Sequence, residues 1–144
     1  MKETSGDENI ISVGEFVSRL FPKTLELLEL LCYGHFRGWL EDSDERNPEA
    51  PLNRQTAARI IHMYLLIECG LPDLSDITPA TALKDLHTCR VCANHIAQVY
   101  CRGIMCEKKE EPDITDSSQV FFNHLALVSK SEAVSLIKKL EQLL

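Results

Sequence analysis

The sequence predicts an all-α fold with a buried central helix. Segment 53–70 contains no proline and no internal glycine, and it predicts one helix of about four to five turns. Apolar residues lie on nearly every side of that helix, so other helices must pack around it. No segment of the chain alternates polar and apolar residues for long enough to predict a strand.

The composition bounds the class of protein. A chain of 144 residues, 44% hydrophobic and 26% charged, supports one domain or two small repeats that share a core. The net charge of −7 and the absence of any Lys/Arg cluster disfavour binding to nucleic acid or to an anionic membrane surface.

Residues 1–16 lack the apolar core of a signal peptide. This favours a cytoplasmic protein as the sequence stands, or a cell-surface protein if an export signal has been removed.

The N-terminal third predicts two helices and an acidic loop. Residues 1–11 are expected to be disordered or frayed. A short helix follows over 13–21, and a second begins at Pro22, where a first helical turn does not need the missing N–H. Gly38 ends the second helix. Segment 41–51 is acidic, contains two prolines and predicts a surface loop.

The central helix has a clear start, a clear end and one polar line. Asn53 can cap its first turn, and Gly70 can end it in the left-handed conformation. Gln55, Arg59 and His62 share one narrow face. Arg59 and His62 could be catalytic, but buried polar groups are usually hydrogen-bonded, so a satisfied seam between helices is the preferred interpretation. The helix is too short and too interrupted by charge to insert into a membrane.

The C-terminal half predicts three more helices. A short helix is expected over 79–86 and a longer one over 88–102. Segment 106–119 is polar and predicts a mobile loop. The last helix begins with a capping box, in which Ser129 and Glu132 satisfy each other's free amides.

The same order of features occurs twice along the chain. Residues 36–40 and 101–105 each end a helix on Arg-Gly and continue with two apolar residues. A polar loop then leads to a capped helix start, at 52–58 in the first copy and at 128–134 in the second. The shared order predicts an internal repeat.

This order resembles that of the S-layer homology (SLH) family. The residues that carry the resemblance are Gly38-Trp39-Leu40, Asn47-Pro48 and 53–58 in the first copy, and Leu83-Lys84-Asp85-Leu86, Gly103-Ile104-Met105 and 129–133 in the second. The resemblance implies an SLH-like repeat over 12–70 and another over 71–144, packed as one compact unit around the central helix. In the family, three repeats normally form a trefoil that holds bacterial surface proteins on anionic cell-wall polysaccharide.

The resemblance implies a binding module, and an enzyme is not expected. It places Arg54 and Lys130 as cationic groups for an anionic glycan. Arg59 and Trp39 are further ligand-binding candidates from their residue types. Trp39 could be a ligand platform or a buried plug, and the plug is preferred because aromatic residues dominate core burial. The alternative function is an intracellular scaffold for a protein partner, which keeps the SLH-like fold and has lost glycan binding. A homo-oligomer is compatible with either function.

The six cysteines are expected to be reduced, mostly as small core residues. Cys89 and Cys92 have the CxxC spacing of half a zinc site. A continuous helix over 88–102, however, would point Cys92 and Cys101 in opposite directions, about 13 Å apart along the axis. No metal or other cofactor is therefore expected.

Overall fold

A computed structural model describes residues 9–21, 25–108 and 120–144. Most of these residues are helical, and β-structure within them is limited to isolated bridges, so the all-α prediction is confirmed. Most of the predicted frayed start over 1–11, Pro22 and most of the loop predicted over 106–119 lie outside the described residues. At the end of that start Ile11 is buried and hydrogen-bonded, so the predicted fraying is wrong at this residue.

The chain divides into two compact units. One consists of Met1–Leu52 with Leu127–Leu144, and the other is the continuous segment Asn53–Ala126. These units are defined by contacts in space, whereas the repeats over 12–70 and 71–144 are defined by order along the sequence. The repeat division therefore stays a prediction.

The first unit is built from four helices in the described part of the chain. They are α1 (Val13–Leu20), α2 (Leu27–Arg37), α3 (Asp42–Arg46) and α6 (Lys130–Leu143). Helices α1 and α6 contact each other. Burial of Ala133, Leu136 and Leu140 at helical spacing fixes the orientation of α6.

Two details of the first unit correct the sequence prediction. Helix α2 begins at Leu27, later than predicted. The preceding residue, Glu26, is extended, and its N–H donates to the Glu29 carboxylate at 3.2 Å in a capping arrangement. The acidic segment contains α3, where the sequence predicts a loop. The Asp44 carboxylate accepts the Glu41 N–H at 2.8 Å and stabilises that first turn.

Three buried residues of the first unit form a closed cycle of backbone hydrogen bonds, which we call the central backbone ring. The Ile11 N–H donates to the Val128 carbonyl at 3.0 Å, the Val128 N–H to the Leu52 carbonyl at 2.9 Å, and the Leu52 N–H to the Ile11 carbonyl at 2.9 Å. All three side chains are fully buried. Each residue thus satisfies its own buried amide and carbonyl with the other two.

Each residue of the ring is followed in the chain by the N-cap of a helix. The caps are Ser12, Asn53 and Ser129, and each side chain accepts the backbone N–H three residues later, at 3.1, 2.9 and 3.0 Å respectively. The predicted caps at Asn53 and Ser129 are confirmed. The start at Ser12 is a third helix start of the same kind, which sequence comparison within the chain did not recognise.

The second unit contains the central helix. Helix α4 (Arg54–Met63) is largely buried, as predicted, and continues as a π-helix over Tyr64–Glu68, in which the Cys69 N–H reaches back five residues to the Tyr64 carbonyl at 3.1 Å. Gly70 then takes a positive φ of 69° and ends the helical run.

The rest of the second unit departs from its predicted helices. The short helix expected over 79–86 is replaced by 3₁₀ turns at Thr78–Ala82 and Leu86–Thr88. Helix α5 (Ala93–Cys101) begins five residues later than predicted, after a turn that contains Cys89 and Cys92. None of the helices in the described ranges is both long and apolar enough to cross a membrane.

The caps generate a stability prediction. We expect Asn53→Ala and Ser129→Ala each to lower the free energy of unfolding by about 1 kcal/mol, because each leaves a first-turn N–H without its acceptor. Urea unfolding followed by circular dichroism measures the change. The matched control is Lys138→Ala on the exposed face of α6, which we expect to stay within about 0.5 kcal/mol of the wild type. Equal effects at all three positions would contradict the capping role.

Candidate functional site

Arg54, the first candidate from the sequence, is a buried structural clamp. Its side chain is 2% exposed. Nε donates to the Phe122 carbonyl at 2.8 Å, Nη2 donates to the Cys106 carbonyl, and the guanidinium carbon lies 4.5 Å from the centre of the Phe122 ring. The planar fork is therefore directed at backbone carbonyls of the protein and at an aromatic face.

Asp85 holds the segment that Arg54 clamps. Its carboxylate accepts the Phe122 N–H at 2.8 Å and the Asn123 N–H at 2.9 Å. The buried His124 ring places Nε2 at 2.6 Å from the Asp85 carbonyl, so Nε2 carries the proton and donates. Sequence reasoning did not assign a role to Asp85 or His124. The only signal was the place of Asp85 in the Leu83–Leu86 phrase of the proposed repeat.

The other three candidates have different surroundings. Lys130 is half-exposed, with Nζ 3.8 Å from a carboxylate oxygen of Glu15. Trp39 is 1% exposed and meets Phe21 edge-on at 5.9 Å between ring centres, so it is buried as preferred from the sequence. Arg59 is half-buried on α4. Arg54 and Arg59 belong to the second unit, and Lys130 and Trp39 belong to the first.

A chain of three hydrogen-bonded side chains links α4 to α5, and we call it the histidine seam. His62 is 5% exposed; its Nε2 lies 2.7 Å from the Asp73 carboxylate, and its Nδ1 lies 2.8 Å from Nδ1 of His95. Asn94 adds a longer contact to Asp73 at 3.4 Å. The prediction that His62 lies in a satisfied polar seam between helices is confirmed.

The chemistry of the groups fixes one bond direction in the seam. The Asp73 carboxylate only accepts, so His62 Nε2 donates to it. The contact between the two Nδ1 atoms needs one donor and one acceptor, so only one of these two nitrogens carries a proton.

Burial and local charges shift the pKa values of two members of the seam. Burial, with the charges of His62 and Arg59, lowers the pKa of His95 to about 4, although the charge of Asp73 opposes this. Burial alone would raise the pKa of Asp73, but the hydrogen bond and charge of His62 outweigh it and lower that pKa. At neutral pH Asp73 is therefore charged and His95 is neutral.

The seam does not assemble a metal site. Its facing nitrogens are occupied by each other, and no group of three or more His, Cys, Asp or Glu side chains within the described ranges has a metal-binding arrangement.

Helix α2 carries an exposed apolar face. Leu28, Cys32 and Phe36 follow at i, i+4 and i+8; Leu28 is 76% exposed and Phe36 is 85% exposed. With Glu29 and Tyr33 they line an open groove of about 560 Å³. The opposite side of α2 is buried through Leu30, Leu31 and Gly34. The sequence signal for this face is the run of leucines, which covers more of the helix than one buried side requires.

The cysteines depart from their predicted state. Cys89 and Cys92 form a disulfide in the turn before α5, so the expectation of reduced thiols is wrong for this pair. The continuous helix predicted over 88–102 is absent, since residues 89–92 form a turn and α5 begins only at Ala93. The remaining four cysteines are free, as expected, but they are half-buried or exposed and are not core residues.

Comparison with known proteins adds no relative. No protein-family model matches the chain, and neither a curated protein nor a solved structure matches it.

Arg54 generates the second prediction. We expect Arg54→Met to lower the free energy of unfolding by about 2–4 kcal/mol, because it leaves the Phe122 and Cys106 carbonyls without their donor. Chemical denaturation measures the change. Lys130→Met is the matched control, and its half-exposed pair should account for at most about 1 kcal/mol. A variant at Arg54 as stable as the wild type would contradict the clamp.

The histidine seam generates a prediction on pH. An unfolded chain protonates His95 near its ordinary pKa of 6.5, whereas the folded protein resists protonation down to about 4. The free energy of unfolding should therefore fall as the pH falls through that window. The lowered pKa of Asp73 adds a further loss only below its ordinary value of 3.8.

Urea unfolding at about pH 7 and about pH 4.5 tests this. We expect His95→Gln to reduce the difference between the two conditions. The matched control is His87→Gln, which removes an exposed imidazole outside the seam and should keep the difference. The same reduction in both variants would refute the role of His95.

Proposed function

We propose that this chain is a non-enzymatic interaction module with SLH-like repeats, and that it binds a protein partner through the exposed face of α2. The two candidate ligands from the sequence are an anionic cell-wall glycan and a protein. The repeat geometry supports the SLH-like fold, and the surroundings of the cationic candidates favour the protein.

The first repeat ends its helix with a distinctive turn. Gly38 has a φ of 102°, in the region that only glycine enters readily. The next two residues, Trp39 and Leu40, both donate their N–H groups to the Gly34 carbonyl, at 3.0 and 3.1 Å. Both side chains are thereby directed into the interior.

The second repeat contains the same turn. Gly103 has a φ of 78°, and Ile104 and Met105 both donate to the Val99 carbonyl, at 3.0 and 3.3 Å. Both of these side chains are also buried. The agreement in glycine conformation, bonding and burial supports a true structural repeat.

The central backbone ring adds a third related feature. Its residues precede three helix starts with the same capping bond, at Ser12, Asn53 and Ser129. Three repeats normally form the SLH trefoil, so a third helix start supports the resemblance more strongly than the two copies recognised in the sequence.

The cationic candidates offer little to an anionic glycan. Arg54 is buried against backbone carbonyls, and a ligand would have to displace those bonds. Lys130 is accessible but lies beside the Glu15 carboxylate, which repels an anion. This arrangement supports a module that keeps the fold and has lost glycan binding.

The exposed face of α2 is the observation that carries the proposal. Phe36 at 85% and Leu28 at 76% exposed are large apolar side chains about two turns apart on one face of α2, with Cys32 between them. Clustered exposed apolar side chains mark interaction surfaces, whereas single ones are ordinary. A groove between such residues fits the apolar side of an amphipathic helix.

The charge around the groove specifies the partner further. Glu29 lines it, Glu26 lies one turn before, and the chain has a net charge of −7. We therefore expect the partner segment to be an amphipathic helix with Lys or Arg beside its apolar face, since complementary charge speeds association and fixes orientation.

A synthetic probe tests the proposal. We expect a fluorescently labelled helical peptide, with Leu and Lys at amphipathic spacing, to bind the full chain in an anisotropy titration. A peptide of the same composition in scrambled order should bind less. Phe36→Glu should weaken binding about tenfold, as loss of an aromatic anchor does. Leu125→Glu, which adds the same charge at another exposed apolar position, should leave it unchanged.

Three outcomes would contradict the proposal. Equal binding by both peptides would show only nonspecific charge attraction. Self-association that Phe36→Glu abolishes would make the partner a second copy of the chain. Sedimentation with purified anionic cell-wall polysaccharide, lost in Lys130→Ala, would favour the glycan.

A further inference from the structure

The disulfide between Cys89 and Cys92 is separate from the Arg54 clamp, the hydrogen bonds of the histidine seam and the exposed face of α2. It closes the turn that links the 3₁₀ helix Leu86–Thr88 to α5. Two residues separate the cysteines, and both of these, Arg90 and Val91, are exposed. The bond is therefore carried on a surface turn.

A disulfide of this span contributes little as a structural staple. Stabilisation by a disulfide arises chiefly from the chain entropy that it removes from the unfolded state, and it grows with the length of the closed loop. Only four residues, 89–92, are closed here. The helices on either side are fixed by other contacts, including the burial of Leu86, Ile96 and Val99.

The end of α5 beside the disulfide has an unusual feature. Cys92 is the N-cap residue, a position whose side chain ordinarily accepts a first-turn N–H. Its side chain makes no capping bond, and its sulfur is bonded to Cys89. Cys92 has the αR conformation, with φ −89° and ψ −15°, whereas capping residues are normally extended, so the first turn of this nine-residue helix receives no cap from the Cys92 side chain.

From this arrangement we infer that Cys89–Cys92 is a redox-active disulfide that exchanges with small thiols of the glutathione class. When the bond opens, Cys92 is released as a thiolate at the N-terminus of α5. There the free amides and the helix dipole stabilise its negative charge. Arg90, between the two cysteines, adds a positive charge on the same turn.

The reaction proceeds in two exchange steps. The thiolate of one small thiol attacks Sγ of Cys89, the S–S bond breaks, and its electron pair leaves on Sγ of Cys92. This gives a mixed disulfide at Cys89. A second thiolate attacks the small-molecule sulfur of that mixed disulfide and releases Cys89. Two thiols are oxidised to one small disulfide, and the protein gains two electrons and, at its sulfurs, up to two protons.

Cys92 is the better leaving group because its thiolate is the stabilised one, and a leaving thiol of lower pKa leaves faster. Attack is therefore directed at Cys89. This assignment makes the two sulfurs chemically distinct and gives each a separate test.

The first test measures exchange in the full chain. Cys32, Cys69, Cys101 and Cys106 are replaced by serine; none of them is buried, so the fold should be kept. The protein is equilibrated in buffers with a series of ratios of reduced to oxidised glutathione, quenched with acid and alkylated. Intact mass then counts free thiols. We expect molecules with no label to convert to molecules with two labels in one reversible step across the series.

The second test compares the two sulfurs. In the same background, Cys89→Ser leaves Cys92 alone, and Cys92→Ser leaves Cys89 alone. At a pH below the pKa of both thiols, we expect iodoacetamide to modify Cys92 faster than Cys89. Each unit by which the helix lowers the pKa of Cys92 should raise its rate about threefold, because about tenfold more thiolate is partly offset by the lower nucleophilicity of that thiolate.

Two results would overturn the inference. Two labels at every glutathione ratio would mean that the disulfide does not form, and no label at any ratio would mean that it does not exchange. Equal alkylation rates of the two single cysteines would overturn the assignment of Cys92 as the leaving thiolate. Circular dichroism of each variant distinguishes these results from loss of the fold.

Discussion

Three backbone hydrogen bonds, closed into a ring, are the constraint on which the rest of the first unit depends. Ile11, Leu52 and Val128 have no exposed side-chain surface, and each uses both its N–H and its carbonyl within the ring. Breaking one member would leave a buried donor and a buried acceptor unsatisfied at the same time, which is costlier than losing one exposed hydrogen bond. The ring therefore fixes where the extended segments stop and where three helices begin.

Cationic side chains at two of the helix starts that follow the ring have different surroundings. Arg54 and Lys130 both occupy the first helical position, and the SLH resemblance implies a cationic role for both. Arg54 is buried and bonded to carbonyls, whereas Lys130 is half-exposed beside a carboxylate. A motif gives the position of a charge along the chain, but burial and partners decide whether that charge is available to a ligand.

The features that local chemistry determines could be predicted from the sequence. The caps at Asn53 and Ser129, the left-handed end at Gly70 and the burial of the central helix follow from side-chain oxygens, glycine conformation and apolar pattern. The late start of α5 was missed because the apolar spacing continues through 88–92, although the chain there forms a turn closed by a disulfide. The helix after Ser12 was predicted over 13–21, but its start was not recognised as a third copy of the starts at Asn53 and Ser129.

The candidate surfaces were harder to predict than the helices. Helix α2 is apolar on several sides, and the sequence does not say which side the rest of the unit covers. The histidine seam was anticipated only at His62, because Asp73 and His95 are distant along the chain and reach it through the fold. Pairings between distant residues depend on tertiary packing, which periodicity does not encode.

The discontinuity of the first unit has a consequence for how the chain acquires its structure. Asn53–Ala126 is continuous, so all its partners are present once that stretch has been synthesised. Ile11 and Leu52, in contrast, must wait for Val128 before their ring can close. We therefore expect the middle of the chain to fold before its N-terminal segment during synthesis. Until Val128 has been synthesised, the Ile11 N–H and the Leu52 carbonyl lack their hydrogen-bond partner, so the N-terminal segment stays incompletely ordered.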